Sequence, residues 1–515
     1  MLVRTFGSAV YGVEAITITI EVNWMATGFG STIVGLPDSA VQESMQRVES
    51  TFKTNNFQMP RTRFVVNMAP ADIKKSGSSF DLPIAVGLLA ATEQISNIAP
   101  LEQYVIMGEL SLDGSLRPIK GALPIAIQAR REGFKGLILP MANAREAGIV
   151  NNLEVYGVNH LNELVDFFES GEKSMEPIEV DTREEFFHSQ YDFDIDFSDV
   201  KGQDNIKRAL EIAAAGGHNA ILIGPPGAGK TMLAKRLPTI LPPLTLQEAL
   251  ETTKIHSVAG KLPENATLIS RRPFRSPHHT ISDVALVGGG GLPQPGEISL
   301  AHNGVLFLDE LPEFKRTVLE VMRQPMEERR VTISRARVAL DFPASFMLIA
   351  SMNPCPCGYY NHPDRECTCA PGSVQKYLNK VSGPLLDRID LHVEVTPVPF
   401  GELSLQKAEK GSRDIREGVI RAREKQAERY KEHPGIYCNA QISSRLLRQF
   451  CPLDTACHSK LKTAMEKLNL SARAYDRILK VSRTIADLAD SENITVEHLA
   501  EAIQYRSLDR AAWAG

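Results

Sequence analysis

The segment GPPGAGKT, residues 224–231, limits the possible folds of this 515-residue chain more than any other stretch. It matches the pattern G-x-x-x-x-G-K-[ST], follows the apolar run NAILI and leads into the helical pattern TMLAKRL. In this strand–loop–helix order, glycines let backbone N–H groups surround a phosphate, and the helix N-terminus adds positive potential. The segment therefore predicts an α/β domain with a nucleotide-phosphate loop. The alternative is a tight glycine turn that binds nothing.

Every residue of this loop is a candidate ligand of ATP. The set is Gly224, Pro225, Pro226, Gly227, Ala228, Gly229, Lys230 and Thr231. Lys230 is expected to reach the β- and γ-phosphates, and the hydroxyl of Thr231 is expected to hold Mg²⁺. ATP and Mg²⁺ are therefore the predicted cofactors of this site.

Two further apolar runs end in polar residues suited to hydrolysis. GVLFLDE (304–310) ends in Asp309, placed for the metal shell, and Glu310, placed to polarise the attacking water. SFMLIASMN ends at Asn353, whose amide could orient that water. The alternatives are two acids that cap a strand by chance and an asparagine that only starts a turn before proline. The set predicts ATP hydrolysis rather than binding alone.

Two arginines are candidates for stabilising transition-state charge. Arg388 lies in DRID, a polar turn before an apolar strand, where it can face the γ-phosphate of a neighbouring subunit. Arg473 begins a helix in LSARAYDRIL and could contact the nucleotide of its own or an adjacent subunit, with Arg477 as its rival. For each, the alternative is a surface arginine paired with a nearby Asp or Glu.

Four of the seven cysteines fall within NPCPCGYYNHPDRECTC, residues 353–369. The two C-x-C pairs are formed by Cys355, Cys357, Cys367 and Cys369. Four thiolates satisfy tetrahedral Zn²⁺ and leave no open position, so a structural zinc is predicted rather than a catalytic one. His362 could replace one ligand, and four unrelated reduced thiols are the alternative. A small zinc-binding insertion is thus predicted at residues 353–372.

The composition excludes several classes of protein. With 43% apolar and 23% charged residues, the chain is expected to fold into three or four soluble domains. Its start has no signal-peptide pattern, its most apolar stretch is too short to span a bilayer, and its cysteines form no disulfide framework. We therefore expect a cytoplasmic protein without membrane segments. Because the net charge is −5, any nucleic-acid binding must come from a local basic patch.

Changes in pattern divide the chain into consecutive parts. Residues 1–170 alternate strand-like and helical runs and predict an α/β domain, and the acidic residues 171–198 predict a linker. A second α/β domain, with the phosphate loop, is predicted over 199–399. Mixed charges predict an exposed helical segment over 400–440, and apolar spacing by three and four predicts a helical lid over 441–515.

The order of these motifs resembles that of the AAA+ ATPases, and within them the magnesium-chelatase/MCM-like branch, over residues 199–510. The segments RSPHHTISDVALVGGG and NPCPCG make the chain similar to the ComM/YifB family in particular. This resemblance implies an AAA+ P-loop core with a C-terminal helical lid. It also implies a homo-hexameric, ATP-driven DNA branch-migration helicase used in recombination and natural transformation, with branched or single-stranded DNA as its partner.

In a ring motor of that kind, basic loops that face the pore are expected to meet DNA phosphates. RRVTISRARVALDF alternates apolar and polar residues, which predicts a β-hairpin with its tip near Ser334, Arg335 and Ala336. The candidate DNA contacts are Arg329, Arg330, Arg335, Arg337 and, in the insertion SRRPFRSPHHT, Arg275. The alternatives are a solvated edge ribbon for the hairpin and a metal site at His278 and His279 for the insertion.

The first 170 residues resemble the Lon-protease-like, S5-type α/β domain. KSGSSFDLPIAVGLLAA aligns Ser79 with the Lon nucleophile, but RPIKGALP places Leu123 where Lon has its lysine base. We therefore expect no proteolysis, and a role in ring assembly or DNA contact instead. Two alternatives remain for the whole chain. One is a magnesium-chelatase-type ATPase subunit, which is not expected to carry this domain or the cysteines, and the other is a protein-remodelling AAA+ machine.

Overall fold

The computed structural model describes most of the chain. The described residues are 1–25, 27–263, 267–291, 293–335, 338–360, 362, 364–397 and 409–506, with the backbone alone at Arg335 and Val338. Arg337 and the first residues of the predicted charged segment lie outside this set. Among the described helices, none combines the length and the hydropathy that crossing a membrane requires.

A mixed seven-stranded sheet organises the first 170 residues, in the order β3-β4-β2-β1-β5-β8-β9. The strands of this part, including the separate pair β6–β7, are β1 (Leu2–Tyr11), β2 (Glu14–Trp24), β3 (Ser31–Val34), β4 (Phe64–Ala69), β5 (Tyr104–Ile106), β6 (Glu109–Leu110), β7 (Leu116–Arg117), β8 (Gly136–Pro140) and β9 (Glu154–Val158). In β2, the alternating sequence ITITIEV buries Ile18, Ile20 and Val22 on one face of the sheet.

Five helices cover this sheet. They are α1 (Ser39–Thr54), α2 (Asp81–Ala91), α3 (Ala122–Arg131), α4 (Met141–Ala147) and α5 (Leu161–Glu169). Every residue of α2 is buried, as expected of a helix that is apolar all round. The α/β fold predicted for this part of the chain is therefore confirmed.

Residues 171–198, predicted as a linker, pack against the rest of the protein. Helix α6 (Thr182–Ser189) buries Phe186, and Phe197 is fully buried in the core of the following domain. Asp196 accepts a hydrogen bond from the N–H of Ser412 at 3.1 Å. The segment is thus docked onto the following domain through its aromatic side chains.

A five-stranded parallel sheet forms the second α/β part, in the order β11-β14-β17-β10-β18. Its strands are β10 (Ala220–Ile223), β11 (Phe274–Arg275), β14 (Val305–Leu308), β17 (Met347–Met352) and β18 (Leu391–Glu394). The three apolar runs recognised in the sequence are β10, β14 and β17, and all their residues are buried. Continuous apolar runs are typical of parallel strands covered on both faces. Because the strands are parallel, the residues that follow these three runs share one edge of the sheet.

Helices surround this sheet and connect its strands. They are α7 (Asp204–Gly216), α8 (Lys230–Arg236), α9 (Leu246–Ala259), α10 (Asp283–Val287), α11 (Glu297–Leu300), α12 (Arg316–Val321), α13 (Arg323–Glu328), α14 (Ser373–Leu378) and α15 (Gly383–Leu386). The predicted P-loop core is therefore confirmed as an α/β fold with a parallel sheet.

Two β-hairpins accompany the sheet. They are β12 (Gly288–Gly289) with β13 (Gln294–Pro295), and β15 (Arg330–Arg335) with β16 (Val338–Pro343). In the second, the described pairing ends with Arg335 opposite Val338, close to the predicted tip, of which Ala336 lies outside the described residues. A Cβ on Gly288 would lie 2.9 Å from Cδ1 of Ile333, which shows that the two hairpins are in contact.

The C-terminal part is helical, as predicted. Its helices are α16 (Ser412–Arg429), α17 (Ser444–Phe450), α18 (Thr455–Leu468), α19 (Ala472–Leu488) and α20 (Val496–Gln504). Helix α16 was expected to be exposed, yet Ile415, Val419 and Ala422 are buried in the cluster that also contains α7 and α19. The helical lid and the sheet domain therefore share one hydrophobic core.

The N-terminal domain packs against the second domain through α9. Glu146 accepts hydrogen bonds from the hydroxyl of Ser257 in α9 at 2.5 Å and from the N–H of Leu123 at 2.9 Å. Burial raises the pKa of Glu146. Leu123 is fully buried, so the position of the Lon lysine holds an apolar side chain in the interior.

Candidate nucleotide site

The phosphate loop leaves the sheet at the end of β10. The N–H of Gly224 donates to the carbonyl of Met352 at 3.2 Å, and a Cβ on Gly224 would lie 2.4 Å from the carbonyl oxygen of Val395. Gly227 and Gly229 have φ values of +79° and +84°, which side chains disfavour. These three glycines allow the tight loop geometry that the sequence pattern predicted.

Lys230 lies inside this loop and is 8% exposed. Its ammonium donates to the carbonyls of Gly224 at 2.6 Å and Pro225 at 2.9 Å, and to Oδ1 of Asn353 at 3.2 Å. Burial lowers the pKa of Lys230, and the carboxylate of Asp309 opposes that shift. The structure therefore brings together the predicted lysine and the asparagine that ends β17.

Asp309 is held by hydroxyl groups from two other elements. Thr231, in the first turn of α8, donates to Oδ2 of Asp309 at 2.8 Å. Ser351 in β17 donates to Oδ1 of the same carboxylate. A hydroxyl and a carboxylate in contact after these two strands are the groups that hold Mg²⁺ in nucleotide sites. The sequence did not predict a role for Ser351 in this site, because a serine within an apolar strand carries no distinguishing signal.

Glu310 follows Asp309 with a left-handed backbone, at φ +55°, and its side chain is 58% exposed. One carboxylate oxygen lies 3.7 Å from Nδ1 of His279. Glu310 and Asn353 line one cavity of about 450 Å³ together with Tyr377. The predicted water-polarising acid and the predicted water-orienting amide therefore face a common space. The contact with His279 was not foreseen.

Arg388 and Arg473 lie together at a different place. Arg388 donates to the carbonyl of Pro384 at 2.6 Å and forms an ion pair with Glu327. Arg473 is 68% exposed and forms an ion pair with Asp387 at 2.7 Å. The structure brings these two arginines to neighbouring positions, away from the phosphate loop.

The strand register shows how far apart the two places are. Leu391, which begins β18, pairs with Ala220, which begins β10, and Glu394 pairs with Ile223. The phosphate loop follows the carboxyl end of β10, whereas Arg388 precedes the amino end of β18. Four paired residues span about 13 Å. Arg388 therefore lies at the opposite edge of the sheet from the phosphate loop of its own chain.

Further cations share this amino edge. A cavity of about 230 Å³ is lined by Arg388, Arg329, Arg477 and Lys480 among others. Arg477, the rival of Arg473, forms an ion pair with Asp390 at 3.0 Å. Burial alone would raise the pKa of Asp390, but Arg477 and His218 hold it below its usual range. Glu327 and Asp390 line the same cavity, so its charged side chains are four cations and two acids, and the cavity is cationic on balance.

The four predicted cysteines form a compact cluster. Their Sγ atoms all lie within 4.8 Å of one another. The Sγ of Cys355 is 3.3 Å from that of Cys357 and 3.8 Å from that of Cys367, and Cys357 and Cys367 are 3.5 Å apart. Four thiolates around a tetrahedral zinc at about 2.3 Å are about 3.8 Å apart. The cluster therefore fits a zinc ion.

The cysteine loop rests on the phosphate loop. Gly358, with φ +86°, follows the first cysteine pair, and a Cβ on it would lie 2.7 Å from Cδ of Pro226. His362 accepts a hydrogen bond from the N–H of Asp364 at 3.0 Å through Nδ1, which occupies that nitrogen. The predicted zinc insertion and the predicted ATP site are thus in direct contact.

The candidate DNA arginines have different environments. Arg330 is 58% exposed and lies 3.6 Å from Glu328 and 3.9 Å from Asp341. Arg275 forms a bidentate ion pair with Glu297 at 2.6 and 2.7 Å.

Arg329 donates to the carbonyl of Gly435 at 2.8 Å, and burial lowers its pKa. The side chain of Arg335 is outside the description, as is the whole of Arg337. Of the three described guanidinium groups, only that of Arg330 is largely exposed.

Comparison with known proteins extends over nearly the whole chain. Family models described as "Subunit ChlI of Mg-chelatase", "Magnesium chelatase, subunit ChlI" and "Magnesium chelatase, subunit ChlI C-terminal" match residues 20–143, 196–403 and 409–506. Competence protein ComM of Haemophilus influenzae is 44% identical over 512 residues, which cover 99% of this chain and 98% of that protein. YifB of Salmonella typhimurium is 44% identical over 509 residues, covering 98% and 96%. Lon protease 2 of Bacillus subtilis is 32% identical over 154 residues, 27% of this chain and 26% of that protein.

Proposed function

Because this chain belongs to the ComM/YifB family and is a magnesium-chelatase-type ATPase, we propose that it is an ATP-driven ring motor that acts on DNA. The proposed activity is that of a hexameric branch-migration helicase used in recombination and natural transformation. A full-length relationship to a competence protein supports DNA as the substrate, since competence is the uptake of DNA.

One observation supports the proposed assembly into a ring. The phosphate loop and Arg388 occupy opposite edges of one parallel sheet, so a chain cannot apply its own Arg388 to its own nucleotide. An arginine supplied by a neighbouring molecule can instead stabilise the charge that develops during phosphoryl transfer. Such residues speed the transfer by about 10³–10⁵-fold. Head-to-tail contacts of this kind close into rings. The cationic cavity around Arg388 is then the surface that meets the neighbour's phosphates.

Within each site we assign separate roles to the residues around the loop. Lys230 contacts the β- and γ-phosphates, while Thr231 and Asp309 hold Mg²⁺ with Ser351 orienting the carboxylate. Glu310 accepts the proton of the attacking water, and Asn353 orients that water. Arg388 and Arg473 act on the neighbouring subunit's nucleotide. These roles rest on the contacts described above and on the resemblance to AAA+ ATPases.

For DNA, we propose that the β15–β16 hairpin lines the pore. Arg330 supplies an exposed cation there, and none of the roles proposed for ATP hydrolysis uses this side chain. Arg275 and Arg329 bond within the protein, so their contribution to DNA binding is indirect. The cysteine cluster would hold a structural Zn²⁺ through its four thiolates, which stiffens the loop that rests on Pro226.

The test is ATP turnover and particle mass with and without a four-way DNA junction at low salt. We expect DNA to raise the ATPase rate of a ring-sized assembly and the assembly to displace junction arms. If the junction neither stimulates the ATPase nor binds to the protein, the DNA motor is ruled out.

A chelatase-type ATPase subunit is the second candidate, and one observation favours it. A family model described as "Subunit ChlI of Mg-chelatase" matches residues 20–143. We had expected a chelatase-type subunit to lack the N-terminal domain, so the presence of this domain does not distinguish a DNA motor from a chelatase-type subunit. A chelatase-type ATPase would respond to metal-chelatase partner subunits rather than to DNA junctions, so the same measurement discriminates between them.

A further inference from the structure

Two side chains from distant parts of the chain bond to the turn that carries Arg388. The side-chain amide of Asn219, just before β10, donates to the carbonyl of Arg388 at 3.2 Å. Arg506, which follows α20, donates through one guanidinium nitrogen to the carbonyl of Ile389 at 2.6 Å and to that of Asp390 at 3.4 Å. Three successive carbonyls of the turn are therefore held from outside it.

Arg506 is built into the interior, with only 1% of its surface exposed. Burying a guanidinium is costly unless its N–H groups find acceptors, so the bonds to the turn stabilise Arg506 at this position. The carbonyl of Tyr505 accepts a hydrogen bond from the N–H of His392 in β18 at 2.8 Å, and His392 forms a parallel bridge with Arg506. The end of the helical lid thus lies along the outermost strand of the sheet, beside the turn.

A second helix of the lid reaches the same turn. Arg477 in α19 forms an ion pair with Asp390 at 3.0 Å. Residues 387–390 lie between α15 and β18, outside regular secondary structure, so individual side-chain bonds determine where the turn lies. The last two helices of the lid, with the residue that follows them, therefore contact the segment that directs Arg388.

We infer that Arg506 and Asn219 are positioning residues that fix the direction of Arg388, so that the lid of one subunit controls ATP hydrolysis in the neighbouring subunit. This role rests on the proposed function, because it requires Arg388 to act on the neighbour's nucleotide. A group that stabilises a transition state must be placed accurately, since a misplacement of about 1 Å can cost about 10²-fold in rate. Bonds to the backbone at and after Arg388 provide such placement.

Substitutions at both residues can remove these bonds with little change in shape. Arg506→Met keeps a long side chain but cannot donate to the turn, whereas Arg506→Lys keeps a cationic donor. Asn219→Asp loses the donor to Arg388 but keeps the oxygen that accepts the N–H of Leu348 at 2.8 Å. Asn219 is only half-buried, so its variant decides the question if Arg506→Met fails to fold.

The matched control is Glu501→Gln, which weakens the docking of α20 through a contact outside the turn. Glu501 pairs with Arg208 of α7 at 3.0 Å. The measurements are the ATPase rate of each full-length variant with junction DNA and its affinity for a fluorescent ATP analogue. Arg506→Met should lower the rate about 10²-fold and Asn219→Asp should lower it too, both with unchanged affinity. Arg506→Lys and Glu501→Gln should stay close to the unsubstituted rate.

Mixing each variant with Lys230→Ala or Arg388→Ala shows which site the substitution impairs. With Lys230→Ala, Arg506→Met should regain activity, because its own phosphate loop then meets an intact Arg388 turn. With Arg388→Ala it should stay low, because at every interface Arg388 is either absent or misplaced. Asn219→Asp should show the same one-sided recovery. A substitution that only damages the fold would recover with neither partner.

The reference is the mixture of Lys230→Ala with Arg388→Ala. If that mixture stays inactive, Arg388 does not act in trans and the proposed ring chemistry is wrong. If it recovers, but a variant that still binds the ATP analogue recovers equally with both partners or with neither, its positioning role is refuted while the motor stands. Normal rates for Arg506→Met and Asn219→Asp alone would refute it as well. An equal loss in Glu501→Gln would assign the effect to a general loosening of the lid instead.

Discussion

Lys230 and Arg388 lie at opposite edges of one parallel sheet, the first after the carboxyl end of β10 and the second before the amino end of β18. The two strands are neighbours in exact register from Ala220 and Leu391 onward, so their full length separates the two cations. For both cations to act on the same phosphate, as we propose, they must come from two molecules.

We expect Lys230→Ala and Arg388→Ala to be inactive as separate preparations but partly active when mixed. In mixed rings, some interfaces pair an intact phosphate loop with an intact Arg388 from the next subunit. Loss of an arginine acting in trans should lower the ATPase rate by about 10³-fold. The measurement is the steady-state ATPase rate at a series of mixing ratios.

The control for subunit exchange is a mixture of Arg388→Ala with the double variant Lys230→Ala, Arg388→Ala. It forms no interface with both cations, so it should stay inactive at every ratio. Recovery in this control, or none in the first mixture, would contradict an arginine acting in trans.

Replacing Glu310 by Gln should abolish turnover while nucleotide binding remains. The amide keeps the size of the side chain but cannot accept a proton, and general-base catalysis contributes about 10²–10⁴-fold. Glu313→Gln is the matched control, because Glu313 lines the same cavity and pairs with Lys380 at 3.1 Å. Normal hydrolysis by Glu310→Gln, or equal losses in both variants, would show that Glu310 is not the base.

The sequence predicted the three strands beside the nucleotide site because each is a continuous apolar run, followed in β10 by the phosphate-loop pattern and in β14 and β17 by polar residues. Parallel pairing then brings Lys230, Asp309 and Asn353 together without further information. Ser351 and His279 were not assigned to this site, since their contacts with Asp309 and Glu310 depend on side-chain positions that no local pattern encodes.

For two elements of the fold, the local sequence pattern was likewise not enough to predict the structure. Strand β1 was not predicted, because LVRTFGSAVY places glycine and serine among its apolar residues and lacks the clear alternation of β2. Helix α16 was read as exposed because its many charges obscure three apolar positions at spacings of four and three, Ile415, Val419 and Ala422. In both cases, tertiary packing decides what the local pattern leaves ambiguous.

The cysteine cluster should contain about one zinc per chain after gentle purification, as four thiolates require. Cys367→Ser should lose this metal and unfold at a lower temperature. His362→Ala should keep it, because the four sulfur atoms suffice and Nδ1 of His362 is used by the N–H of Asp364. Elemental analysis and thermal unfolding measure both effects, and less than half an equivalent in the unsubstituted protein would count against a zinc site.

Arg330→Ala should weaken binding to junction DNA and reduce the slope of log affinity against log salt by about one phosphate contact. Arg413→Ala is the control, because Arg413 is exposed on α16 and pairs with Glu417 at 3.2 Å. DNA titrations at several salt concentrations measure the slope. Equal slopes for the two variants would make the β15–β16 hairpin a solvated ribbon.

The contact between Gly358 and Pro226 predicts that the cysteine loop shapes the ATP site. A Cβ at residue 358 would meet Pro226 at 2.7 Å, so Gly358→Ala must displace the phosphate loop or the cysteine loop. Gly372→Ala is a closely matched control. Gly372 follows the same cluster and has a similar left-handed φ of +77°, but nothing lies within 4 Å of the added methyl group.

Both substitutions carry the backbone cost of a left-handed alanine, about 1–2 kcal/mol, so both should lower stability to a similar extent. Only Gly358→Ala also crowds the phosphate loop, and crowding of about 1 kcal/mol corresponds to roughly fivefold weaker ATP binding. Titration with a fluorescent ATP analogue, beside thermal unfolding of both variants, separates the two effects. If the variants bind ATP equally well, the cysteine loop gives way instead, and the cluster stabilises its own loop without influencing the nucleotide.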